Sequence, residues 1–185
     1  MIPINSPIIG EEEIEAVVKV LRKGPLTNAL GAGPMVTQFE EEFADFCDVK
    51  HAVAVNTGTA ALHSAIVAAG VKYGDEVILP SFTFVATAEA VVLAGGKPVF
   101  ADIDPLTYNI APVEIEKNIT KKTQAILPVD LYGFSADFDP INEIATKHGL
   151  AVVEDAAQAH GATYKGKPAD HSPKPPAGAY TQART

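Results

Sequence analysis

Short apolar, β-branched runs alternate with stretches of helical spacing along most of this chain. After Gly10 the apolar residues Ile14, Val17, Val18 and Leu21 recur at helical spacing, with Glu11, Glu12 and Glu13 over the first turn, where the helix dipole favours negative charge. Gly24-Pro25 stops that helix, and Val36, Phe39, Phe43 and Phe46 repeat the pattern after Pro34. Residues 52–55, 76–79, 98–101, 124–129 and 150–153 then read as buried strands. Residues 59–69, 83–94, 113–118 and 139–148 read as helices, with Gly70, Gly95-Gly96 and Gly149 as stop signals. Strand and helix in strict turn, with near-continuous apolar strands, predict an α/β fold: a mostly parallel sheet covered by helices on both faces. Tyr164-Lys-Gly-Lys167 reads as a hairpin turn. From about residue 170 three prolines and no apolar periodicity predict a disordered tail over 170–185, and no second domain is expected.

The 185 residues, 47% hydrophobic and 20% charged, suit one globular domain. A net charge of -9 without any Lys/Arg run argues against a nucleic-acid surface. Cys47 is alone, which excludes an internal disulfide and a cysteine zinc site and favours a reducing, cytoplasmic setting. The first residues lack the basic head and apolar run of a signal peptide, and no apolar stretch approaches the ~20 residues a membrane span takes. A soluble protein is expected.

Several residues invite chemistry. Asn56-Thr-Gly58-Thr59-Ala60 joins a predicted strand to a helix, the geometry that aims free backbone N–H groups at an anion such as phosphate, with Gly58 allowing close approach. Thr59 as a plain N-cap and Gly58 as a turn residue explain the same run. It is neither a P-loop nor a dinucleotide fingerprint. Asp155 follows an apolar strand, so it lies at a strand's carboxyl end, where open α/β sheets place ligands. Facing a pyridine nitrogen, such a carboxylate favours the protonated ring; capping a turn is the alternative. Gln158 shares its face if a helical turn starts there, and its amide is then a donor to a phenolic oxygen. Phe82 or Phe84 lies either against a flat aromatic ligand or in the core. His63 and His160 lack partners at ligand spacing, so no metal site is expected. Lys165 and Lys167 belong to the hairpin rather than to a desolvated nucleophile site, and Asp102 and Asp104 read as turn residues.

The ordered run of Gly10-Glu-Glu-Glu-Ile14, Asn56-Thr-Gly-Thr-Ala-Ala-Leu-His63, Gly74-Asp-Glu-Val-Ile78, Phe82-Thr-Phe-Val-Ala-Thr87, Lys97-Pro-Val-Phe100, Ala125-Ile-Leu-Pro-Val129, Leu131-Tyr-Gly133 and Glu154-Asp-Ala-Ala-Gln-Ala-His-Gly161 resembles the DegT/StrS sugar-nucleotide aminotransferases, of the aspartate-aminotransferase-like fold type I. The resemblance runs from Ile4 to about Pro168. It implies a pyridoxal 5'-phosphate cofactor, with the phosphate on the Thr59 and Ala60 backbone beside Gly58, the ring against Phe84, Asp155 on the ring nitrogen and Gln158 on the phenolic oxygen. It further implies a keto-sugar nucleotide substrate, an amino donor such as glutamate, and a homodimer. Residues 1–169 are then an incomplete cofactor-binding large domain. The family's Schiff-base lysine, roughly thirty residues past the Asp155 position, has no counterpart in this chain, so no catalytic residue is assigned. Lys174, in Pro-Lys-Pro, is the one lysine of the tail. The expected function is accordingly an aminotransferase in truncated form. The alternatives are a non-catalytic or regulatory cofactor binder and a sugar dehydratase of the same family, in which a histidine replaces the lysine.

Overall fold

The computed structural model describes residues 6–27, 33–168 and 181–183. The chain divides into two compact units, residues 1–46 with 50–54 and residues 47–49 with 55–185. The first unit holds helices α1 (Glu11–Lys23) and α2 (Pro34–Phe46). Glu13 reaches back to accept the Gly10 N–H at 2.6 Å, acidic residues fill the first turn of α1, and Arg22 and Lys23 fill its last. Along α2 the rings of Phe39 and Phe43 stack with centroids 5.3 Å apart.

The second unit carries the sheet. Its elements are α3 (Gly58–Ala68), β1 (Glu76–Pro80), α4 (Val85–Leu93), β2 (Lys97–Ala101), α5 (Pro112–Asn118), β3 (Thr123–Ile126), α6 (Phe138–His148), β4 (Ala151–Asp155), the short hairpin β5 (Thr163–Tyr164) and β6 (Lys167–Pro168), and β7 (Thr181–Ala183). The main sheet has the order β2-β1-β3-β4-β7, with all its pairings parallel. Side-chain alternation divides the core in two. Val77, Leu79, Ala125, Leu127 and Val153 meet Leu62, Ala65 and Ile66 of α3 and Ala90 and Val91 of α4. The intervening Ile78, Ile126 and Val152 meet Ile115 of α5 and Phe138, Ile141 and Ala145 of α6. Helices on both faces are what two-sided burial of such strands demands.

Four expectations change. Residues 52–55 form no strand: apolar alternation suits them to one, but among the described residues no backbone ladder pairs with them. The third sheet strand ends at Ile126 rather than at residue 129, although Val129 still bridges to Asp155. Of the tail expected to be disordered, Thr181–Ala183 pair with β4 in the register Val153↔Thr181 and Asp155↔Ala183; the other residues of 170–185 lie outside the described residues. Gln158 lies in a turn, not a helix, with the Ala159 N–H bonded to the Ala156 carbonyl at 3.0 Å.

The hairpin is as expected: Lys165 and Gly166 both take positive φ, 52° and 79°, which matches the right-handed twist of the flanking strands. Its Tyr164 ring meets Phe138 edge-on at 6.0 Å. Phe138 is fully buried. Phe138→Ala is expected to destabilise the second unit by about 3–5 kcal/mol in urea denaturation, and a loss below about 1 kcal/mol contradicts this packing.

Candidate cofactor site at the carboxyl edge of the sheet

In a parallel sheet every strand's carboxyl end lies on one edge, and each connecting helix starts there. Helix α4 follows the carboxyl end of β1 and returns to the start of β2. The carboxyl end of α3 leads through residues 69–75 to the start of β1, so the first turn of α3 also faces the carboxyl edge. Both helices cover the same sheet face. Asp155 closes β4 two residues after Val153, so alternation aims its side chain at that face too.

Thr57, not Thr59, caps α3. Its φ/ψ of -156°/158° is extended, and its hydroxyl accepts the Ala60 N–H at 3.0 Å. The Gly58 and Thr59 N–H groups lie in the first turn, with no carbonyl four residues back inside the helix. They are the donors that α3 offers to an anion, whereas Ala60 is already engaged.

Asp155 is 5% exposed. Its Oδ2 accepts the Thr87 hydroxyl at 3.0 Å and its Oδ1 accepts the Ala157 N–H at 3.3 Å. Burial pushes its carboxyl above the ordinary value of 3.8, while the Thr87 hydroxyl and the Ala157 N–H, which favour the ionised form, act against that rise. Among the described residues no lysine, arginine or histidine pairs with it. The group is thus a buried carboxyl that gains most from a cation placed at the sheet edge.

Gln158 stands beside it in the following turn. The Tyr132 N–H donates to its Oε1 at 2.8 Å, across from the turn after β3. A backbone N–H is met only by the amide's oxygen, so this bond leaves the Gln158 nitrogen as the outward donor. Phe84 occupies the N-cap position of α4 and is 71% exposed, which removes the core as its place. Phe82 instead leans on Tyr108, with ring centroids 6.0 Å apart.

The residues set aside from chemistry have structural work. Asp104 Oδ1 accepts the N–H groups of Leu106 and Thr107 at 2.8 and 3.0 Å, and these bonds hold its carboxyl below the ordinary range. Asp102 accepts the Ile103 N–H at 2.8 Å. Lys165 pairs with Asp139, which raises its pKa, the reverse of what a nucleophilic lysine needs. Among the described residues no three His, Cys, Asp or Glu side chains are grouped to hold a metal ion, and no helix is long and apolar enough to cross a membrane.

The parts together define an α/β protein that brings a helix start, an exposed ring and a buried carboxyl to one edge of a parallel sheet. Residues 7–172 match the model of the DegT/DnrJ/EryC1/StrS aminotransferase family, and the chain belongs to that family. It is 52% identical over 158 residues to the UDP-2-acetamido-2-deoxy-3-oxo-D-glucuronate aminotransferase of Pseudomonas aeruginosa, a match covering 85% of this chain and 43% of that protein. The structure of DesV from S. venezuelae in complex with a ketimine intermediate superposes with a TM-score of 0.80 at 45% identity, over 85% of this chain and 42% of that one. The PLP form of a putative sugar aminotransferase from Streptococcus pneumoniae gives a TM-score of 0.84 at 33% identity, over 91% and 46% of the two chains. The fold is therefore that of the fold type I aminotransferase large domain, and the chain spans less than half the length of each of these relatives.

Two residues of the site escaped sequence reasoning. Thr57 and Thr87 both stand in quoted motifs, but a cap is identified by backbone angles, and the partner of Thr87 lies 68 positions away. The raised Asp155 pKa sets a sign. As pH rises above 3.8 the unfolded chain releases this proton before the folded chain does, so the folded state holds more protons and stability falls through that window. Asp155→Asn is expected to gain stability relative to wild type as pH rises through it; thermal melts from pH 4 upward that show a constant difference contradict the burial argument.

Proposed function

We propose that this chain supplies the cofactor-holding part of an aminotransferase that uses pyridoxal 5'-phosphate to move an amino group, from glutamate, onto a keto-sugar nucleotide. One observation carries the reading: Asp155, buried and without a cation partner among the described residues, lies at the edge and on the face where the first turn of α3 presents its N–H groups. Pyridoxal phosphate brings the two matching charges, an anionic phosphate and a protonatable ring nitrogen, and when bound it supplies an electron sink. The Gly58 and Thr59 N–H groups hold the phosphate. Asp155 keeps the ring nitrogen protonated, the Gln158 amide nitrogen donates to the phenolic oxygen, and Phe84 covers one face of the ring. The sugar-nucleotide substrate rests on the relative whose name includes one. The homodimer and the choice of glutamate are family expectations carried into this reading.

Proton transfer to and from substrate needs a lysine, and among the described residues Lys165 of the hairpin is ion-paired with Asp139. For the described residues the reading is reversible cofactor binding. Titration with pyridoxal phosphate, followed by absorbance, is expected to give saturable binding that Asp155→Asn weakens about tenfold, and borohydride is expected to leave the cofactor dialysable. Equal binding by wild type and Asp155→Asn, or no binding at all, contradicts the assignment.

A further inference from the structure

We propose that Thr87 is a positioning residue for Asp155, the end of a one-way hydroxyl relay from Thr83 that fixes the carboxylate's orientation at the sheet edge. Thr87 is 1% exposed in the first turns of α4, and its Oγ1 lies 3.0 Å from Asp155 Oδ2 and 3.0 Å from Thr83 Oγ1. A threonine hydroxyl has one proton. Asp155 in its ionised form only accepts, so the Thr87 proton goes to it, and the contact with Thr83 then requires Thr83 to donate. The direction is Thr83 to Thr87 to Asp155. With the Ala157 N–H on Oδ1, both carboxylate oxygens are tied, and rotation about the side chain breaks one bond or the other.

Asp130 Oδ1 accepts the Ala136 N–H at 2.8 Å, and alternation along β4 sends Glu154 to the opposite face, the one that Val152 shares with α6. The relay also explains why a buried threonine sits inside a helix of otherwise apolar burial, where Ala86, Ala90 and Val91 are its buried companions. The role of this orientation in cofactor binding rests on the function proposed above; the relay itself does not.

The test uses Thr87→Val, which keeps the β-branch and removes the donor, and Thr87→Ser, which restores the hydroxyl. In the cofactor-free chain, carbon-13 NMR of the Asp155 carboxyl, assigned with Asp155→Asn, is expected to show a titration midpoint that moves up in Thr87→Val and returns towards wild type in Thr87→Ser. A hydroxyl that merely fills space leaves both midpoints at the wild-type value, and that result overturns the proposal. Should Thr87→Val fail to fold, the wild-type Thr87 hydroxyl proton decides: slow exchange with a cross-peak to the Asp155 side chain supports the relay, and fast exchange overturns it. Pyridoxal phosphate binding separates the two claims. Wild-type binding that Thr87→Val weakens about tenfold, with rescue by serine, supports positioning. No wild-type binding contradicts the proposed function and leaves the NMR result to judge the relay alone.

Discussion

The parallel pairing of β1, β3 and β4 is the constraint on which the site depends. It brings every strand's carboxyl end to one edge, and because α3 and α4 pack on the same face, their first turns lie there as well. Side-chain alternation then decides which residue of β4 looks at them. Val153 enters the α3/α4 core, Val152 the α5/α6 core, and Asp155 follows Val153. A shift of one residue in register sends Glu154 to that face instead and leaves no site.

Within this frame the energetics of Asp155 are a contest between burial and hydrogen bonding. Burial acts against its charged form, and the Thr87 hydroxyl and the Ala157 N–H favour that form without replacing a cation. A buried carboxyl held in this way gains from a positively charged partner. The neighbouring turns are tied to each other: the Tyr132 N–H holds the Gln158 oxygen, and the Asp130 N–H holds the Asp155 carbonyl at 3.0 Å, which joins the loops after β3 and β4.

Most of the second unit was legible because its signals are local. Glycines stopped α3, α4 and α6 where expected, and Asp155 was placed from nothing more than its position after an apolar strand. What could not be read was whatever needs a distant partner. Residues 52–55 have the composition of a strand, but composition does not supply a neighbour. Thr181–Ala183 carry no apolar pattern and pair nevertheless with β4. Thr59 and Thr57 are equally good caps by chemistry, and only the extended backbone at Thr57 selects it. Phe84 is exposed although an aromatic near a strand end is usually core, while its neighbour Phe82 leans on the Tyr108 ring.

A crystal structure of the protein with pyridoxal 5'-phosphate tests the central claim most directly. The account predicts the phosphate within hydrogen-bond distance of the Gly58 and Thr59 N–H groups, with the ring nitrogen on the Asp155 carboxylate. A phosphate bound away from the start of α3, or an Asp155 side chain turned from the ring, contradicts it.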